Sequence, residues 1–166
     1  LFGNEEVGFI KLNIDPKGIV LYPCNNWRIA KEHRNQGYGR YLMAQGFSLA
    51  AEVARKQGLR PAWALVYYTI TTDQFEIIDS RLRRVLLKLG FANWARARIK
   101  DPNLAALIKE YPRRDNAYYW HWYADLNTIA TSGLNDIEAK QIEVSLYPNP
   151  ANTKTTVCVR GIFERI

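Results

Sequence analysis

The chain has 166 residues, 48% of them hydrophobic and 13% aromatic, and a formal net charge of +7. That length suits one domain with a real core and a short appendage, and the composition excludes a disordered chain. No apolar run approaches the roughly 20 residues of a membrane-spanning helix. The opening Leu-Phe-Gly-Asn-Glu-Glu has neither the basic nor the apolar region of a signal peptide, so a cytoplasmic protein is expected. The chain opens on Leu1 rather than Met, which fits a missing natural N-terminus. Cys24 and Cys158 form no disulfide framework or zinc pattern, and His33 and His121 are too scattered for a metal site, so no metal is expected. The basic excess lies wholly before Thr128. It suits nucleic acid, an anionic cofactor or solubility, but apart from Arg81–Arg84 and Arg113-Arg114 it is spread out, which argues against nucleic acid.

Val7–Ile14 reads as a strand, Asp15-Pro16-Lys17-Gly18 as a turn and Ile19–Tyr22 as the returning strand of a hairpin. Trp27–Ala30 is placed as a short strand entering the next feature. That feature is Arg34-Asn35-Gln36-Gly37-Tyr38-Gly39-Arg40, two glycines one residue apart between two arginines. Glycines let backbone N–H groups converge, and a following helix adds unpaired donors and partial positive charge, which together suit a phosphate. A lone Gly-x-Gly is also an ordinary strand-to-helix turn. From Tyr38 to Gln57 the period is helical, with Leu42, Gly46, Leu49 and Val53 on one face, and Gly58 is the expected C-cap. Ala62–Ile70 is nearly all apolar, as in a strand buried on both faces and parallel to a neighbour. Strand, glycine turn, helix and buried strand make a βαβ unit with phosphate-binding equipment at its turn.

Further on, Thr71–Ser80 reads as a loop, Asp79 or Ser80 as the cap of a helix Arg81–Leu89 stopped by Gly90, and Phe91–Ile99 as a strand. Asp101-Pro102 opens a short helix to Glu110. Ala117–Leu126 is a strongly aromatic strand, either a base-stacking platform or, more commonly, core on one side and amphipathic surface on the other. After Asn127 the composition turns small and polar; Ile142–Tyr147 and Thr155–Val159 read as short strands around a Pro148–Asn152 turn. The expected organisation is a domain over 1–127 followed by a linker and hairpin-like tail over 128–166.

The motif Arg34-Asn35-Gln36-Gly37-Tyr38-Gly39 and, downstream, Val85-Leu86-Leu87-Lys88-Leu89-Gly90-Phe91 resemble the two signatures of the GNAT superfamily, the Gcn-five-related N-acetyltransferases. Val7-Gly8-Phe9-Ile10 and Tyr118–Leu126 are similar to flanking strands, so the resemblance covers Val7 to Asn127. It implies an α+β fold with a mixed, mostly antiparallel sheet, splayed at a central parallel pair, with acyl-CoA in the splay. It implies acetyl-CoA as donor, a primary amine as acceptor, and direct attack of the amine on the thioester. The backbone of Gln36, Gly37, Tyr38, Gly39 and Arg40, beside Asn35, would hold the pyrophosphate. Arg34 or Arg40 would add charge, or else be solvated surface arginines. Ile29 and Ala30 would pair with the pantetheine arm.

The chain departs from that pattern where chemistry is concerned. Leu86 stands where the family often has a tyrosine acid, Asp79 where an asparagine is common, and Pro23 where some members carry a glutamate base. Tyr67, Tyr68, Asp73 and Asp79 are the substitutes near the thioester, with His33 a weaker one. For either tyrosine singly, core packing is the better reading. Thiolate departure does not strictly need an acid, because a thiol is already fairly acidic, and positioning alone can carry the reaction. The family's usual N-terminal strand and helices have no counterpart before Val7, and this with the C-terminal hairpin makes a homodimer plausible. Two further readings stand beside the enzyme: a GNAT-fold domain that binds CoA or protein without turnover, and a basic nucleic-acid module. Val144-Ser145-Leu146-Tyr147-Pro148-Asn149-Pro150-Ala151 also resembles the start of a type IX secretion sorting domain of Bacteroidetes-type bacteria, which would imply export. The alternative is a hairpin packed on the domain edge.

Overall fold

The computed structural model describes residues 6–22, 27–71, 75–93, 100–109, 117–129, 136–149 and 154–166. Within them the fold is mixed α+β: an open eight-stranded sheet, mostly antiparallel with one parallel pair, and three α-helices. The elements are β1 Gly8–Asp15, β2 Ile19–Tyr22, β3 Trp27–Ile29, α1 Tyr38–Lys56, β4 Trp63–Thr71, α2 Phe75–Leu89, β5 Ala92–Asn93, α3 Pro102–Lys109, β6 Ala117–Asp125, β7 Ile137–Asn149 and β8 Lys154–Arg165. Across the sheet the order is β5-β6-β4-β2-β1-β8-β7, with β3 also paired to β1. No helix among the described residues is long and apolar enough to cross a membrane.

Alternation decides which face of each strand is buried. Ile10, Leu12 and Ile14 of β1 are closed into the main core, while Phe9, Lys11 and Asn13 are half-buried on the other face. Helix α1 lays Leu42, Met43, Phe47, Ala50 and Ala54 on the first face, and Phe47 meets Phe91 with ring centroids 5.6 Å apart. A smaller cluster of Ile19, Leu21, Leu65 and Leu104 sits under α3 on the second face. Asp101 caps α3 as its sequence predicts: the Leu104 N–H donates to the Asp101 carboxylate at 2.9 Å. Both α1 and α2 stop in the same way. Leu59 N–H reaches Ala54 C=O and Gly58 N–H reaches Arg55 C=O; Phe91 and Gly90 repeat this on Leu86 and Leu87. These are paired six-to-one and five-to-two bonds around a left-handed glycine. In α2 the arrangement turns Phe91 back into the core.

Gly46 lets α1 press on β1, because a Cβ there would lie 2.7 Å from Ile10 Cγ2. Ile10 is fully buried and has nowhere to go. Gly46→Ala gains about 0.5–1 kcal/mol of helix preference, against an overpacking cost of about 1–3 kcal/mol. The net expectation is a lower urea midpoint, by about 1 kcal/mol in stability. An unchanged or higher midpoint would show that β1 yields freely.

Three sequence expectations are corrected. The parallel partner of β4 is β2, not the Trp27–Ile29 strand, which pairs with β1. β2 pairs with β1 at Asn13–Asp15 and β3 at Gly8–Ile10; the intervening 23–26 lie outside the described residues. Helix α2 starts at Phe75, so Asp79 and Ser80 lie inside it and are not its caps. The stripe Phe75, Ile78, Leu82, Leu86, Leu89 was already at helical spacing. β7 and β8 run 13 and 12 residues, well beyond the short strands expected. An extra residue at Lys140 bulges β7 between Ala139 and Gln141 and breaks the alternation by which a strand is read. The strand expected over Phe91–Ile99 is described only at Ala92–Asn93, and 94–99 lie outside the described residues, as do 130–135 of the linker and 150–153 of the last turn.

The hairpin at the end of the chain belongs to the same sheet. β8 pairs with β1 from Gly8↔Gly161 to Ile14↔Thr155 and places Val157, Val159 and Phe163 in the core. Phe163 stands edge-on to Tyr41 of α1 at 5.1 Å. Burial pushes the Tyr41 phenol above the ordinary tyrosine range, a hydrogen bond with the backbone of Ala139 pulls the other way, and the Glu138 carboxylate adds to the rise.

Candidate functional site

Among the described residues the two central strands pair over four positions: Ile19–Tyr22 of β2 with Trp63–Val66 of β4. Past Val66 the described pairing of β4 is with β6, from Tyr67↔His121 to Thr71↔Ala117, while β3 pairs with β1; residues 23–26, between β2 and β3, lie outside the described residues. Backbone direction sets what β3 presents on its far side. Ala30 N–H donates to Val7 C=O at 2.8 Å, and Ile29 stands opposite Gly8. In an antiparallel pair this leaves the N–H and C=O of Ile29 pointing away from β1. The Ile29 carbonyl accepts from Arg34 Nε at 3.0 Å.

The glycine turn lies between β3 and α1. A short 3-10 turn over Lys31–His33 leads into it. Asn35 has φ 63° and Gly37 φ 84°, both left-handed, and Gly37 is the N-cap of α1 with no side-chain cap hydrogen bond. Asn35 is a residue type that tolerates this conformation. The opening N–H groups of an α-helix have no partner within it, and here no side chain supplies one at the cap. Gly39 serves a different end from Gly37: a Cβ on it would sit 2.7 Å from the indole of Trp27, which fills that space. Trp27 Nε1 is enclosed and has no hydrogen-bond partner among the described residues.

One contributor was not visible in the sequence. Arg165, at the end of β8, donates through Nη2 to the Gln36 carbonyl and pairs through Nη1 with Asp136 Oδ2 at 2.5 Å. It brings a guanidinium against Gly37, where a Cβ would lie 3.5 Å from Nη2. No local signal could have found it, since 129 residues separate it from the turn and only the β1–β8 pairing brings it there.

Of the expected cofactor residues, Ile29, Ala30, Arg34, Asn35, Gln36, Gly37, Tyr38, Gly39 and Arg40 all lie along this one line from β3 to the first turn of α1. His33 is half-buried with its ring 6.1 Å from that of Tyr38. Tyr67 and Tyr68 occupy β4 directly after the four residues paired with β2, and Asp79 lies in α2; the side chains of all three fall outside the described part of the structure, as do Pro23 and Asp73. Leu86 is fully buried. On the sheet face opposite α1, Glu6, Val7, Gly8, Phe9, Arg28, Ala30, Lys31 and Glu32 line a groove of about 370 Å³. Glu6 Oε1 is enclosed there without a hydrogen-bond partner among the described residues; Arg160 Nη1, at 3.7 Å, is near enough for attraction but too far for a hydrogen bond. No group of three or more His, Cys, Asp or Glu among the described residues could hold a metal.

Compared with known proteins, the chain matches no family model, no curated protein and no solved structure.

Proposed function

We propose that the chain is a GNAT-type N-acyltransferase, taking an acetyl group from acetyl-CoA to a primary amine. One arrangement supports this reading: a central parallel strand pair, a following strand whose Ile29 backbone groups point away from β1, and a left-handed glycine turn with no side-chain cap at the start of α1. In this reading the pyrophosphate accepts from the N–H groups of Gln36 to Arg40, favoured by the helix dipole and the Arg165 guanidinium. The pantetheine arm lies along the free side of Ile29 as an added strand, and Arg34 gives up the Ile29 carbonyl to it.

The amine nitrogen attacks the thioester carbonyl, the C–N bond forms, the C–S bond breaks and the electron pair leaves on sulfur. A thiol of pKa about 8.5 is a workable leaving group without a strong acid, so positioning supplies much of the acceleration. The amine must lose a proton before or during attack, and the departing thiolate takes it up through solvent. The groove beside Ala30 is the proposed entry for the amine, which enters as a cation, and Glu6 is its carboxylate partner. At saturating acetyl-CoA, Glu6→Gln should raise KM for the amine about tenfold, the scale of one charge-assisted hydrogen bond, while acetyl-CoA affinity stays unchanged. Thiol release against a panel of primary amines measures both function and variant. An unchanged KM would remove the groove from the acceptor path, and no thiol release with any amine would favour the second reading.

That second reading is a CoA-binding domain without turnover. Leu86 favours it: the position of the family's tyrosine acid is a leucine closed into the core.

A further inference from the structure

The outer edge of the sheet carries a self-complementary strand. Among the described residues β7 is the edge strand beyond β8, with no strand paired on its far side. Edge strands normally carry devices that stop another strand from adding, and β7 has one at each end. Toward its start, the Lys140 bulge breaks the ladder, and Lys140 is tied to Glu138 at 3.1 Å and Glu164 at 2.7 Å. Toward its end, Pro148 has no N–H to offer a partner. Between these guards lies Ile142–Tyr147, six residues without a bulge or proline.

This window is apolar where it should be polar. Ile142, Val144 and Leu146 stand opposite Gly161, Val159 and Val157 of β8, all on the face that carries α1. Yet Val144 is 38% exposed, Leu146 48% and, on the other face, Tyr147 55%. A bare edge with a solvated stripe of this kind is a template for another strand.

We propose that two copies of this chain pair antiparallel along Ile142–Tyr147, about a two-fold axis at Val144, to make one continuous sheet. Charge and the Pro148 guard choose this register, since centring on Ser145 would bring Pro148 opposite Ile142, inside the window, and the fit of the apolar triplet to itself argues for a second copy as the occupant. Centred on Val144, Ile142 meets Leu146 of the other copy, Val144 meets itself, and Glu143 meets Ser145, whose hydroxyl already donates to the Glu143 carboxylate at 3.2 Å. No like charges face each other, and Lys140 comes opposite the proline. Centring on Glu143 would set two carboxylates face to face, and centring on Ile142 would put Lys140 against Val144. A two-fold pairing of one edge with itself closes at the dimer.

Sedimentation of the whole chain tests this. The native chain should sediment at twice its 19.2 kDa mass, and Val144→Lys, which opposes two cations on the axis, should weaken association about a hundredfold. Circular dichroism checks that the variant stays folded; should it unfold, Leu146→Lys takes its place. With Cys24 replaced by Ser, Val144→Cys should oxidise to a disulfide-linked dimer far faster than Ser145→Cys. A native chain that is a monomer, a dimer that survives a folded Val144→Lys or Leu146→Lys, or equal cross-linking at positions 144 and 145 would each overturn the proposal. None of these measurements involves acetyl-CoA.

Discussion

A chain ended after Ile129 will not keep the fold. The reason lies in where β8 goes. It is an interior strand, hydrogen-bonded to β1 along seven residue pairs, and β1 is the strand on which α1 rests. Removing residues 130–166 takes Ile137, Val157, Val159 and Phe163 out of the core and bares the whole flank of β1. Full burial of such a side chain contributes about 1.5–3 kcal/mol, so the four together match the total stability of an ordinary domain, about 5–15 kcal/mol. The exposed strand would then recruit others and aggregate. Thermal unfolding by circular dichroism, with the native chain beside it, reads the result. A shortened chain that melts cooperatively within a few degrees of the native one would mean that the tail merely leans on a finished domain.

Under the proposed function, Gly37→Glu should cost acetyl-CoA at least about a hundredfold in affinity while Gly37→Ala mainly weakens the fold. Both variants place a side chain on a backbone with φ 84°, at a cost of about 1–2 kcal/mol. They differ in what they add. The alanine Cβ finds ordinary contacts, 3.5 Å from Arg165 Nη2 and 3.6 Å from Ile137 Cδ1. The glutamate carboxylate pairs with that same guanidinium and takes the place of a phosphate oxygen. Affinity should fall at least about a hundredfold for Glu, the size of a lost binding hot spot, and by less than about tenfold for Ala. Equal loss in both would trace the effect to backbone strain.

Local patterns in the sequence carried the local structure. Alternation marked β1, a helical period marked α1, and Asp101-Pro102 marked the start of α3 because cap and first turn are built from neighbours. The glycine turn was legible for the same reason: left-handed backbone at Asn35 and Gly37 suits those residue types. Pairing between distant strands was not legible. Nothing in Trp27–Ile29 says that it follows β1 instead of lining β4, and nothing in Thr155–Val159 says that it lies inside the sheet. Lys140 hid the length of β7 because one extra residue reverses which side chains face inward. Arg165 reached the turn only through these pairings.

The measurement that bears most directly on the proposed function is calorimetric titration of the native chain with acetyl-CoA. The expected result is saturable binding of one acetyl-CoA per chain, lost when the titrant is replaced by acetylated pantetheine lacking the pyrophosphate. A folded chain that takes up no acetyl-CoA, or that binds both compounds equally, would contradict the assignment of the glycine turn as a pyrophosphate site.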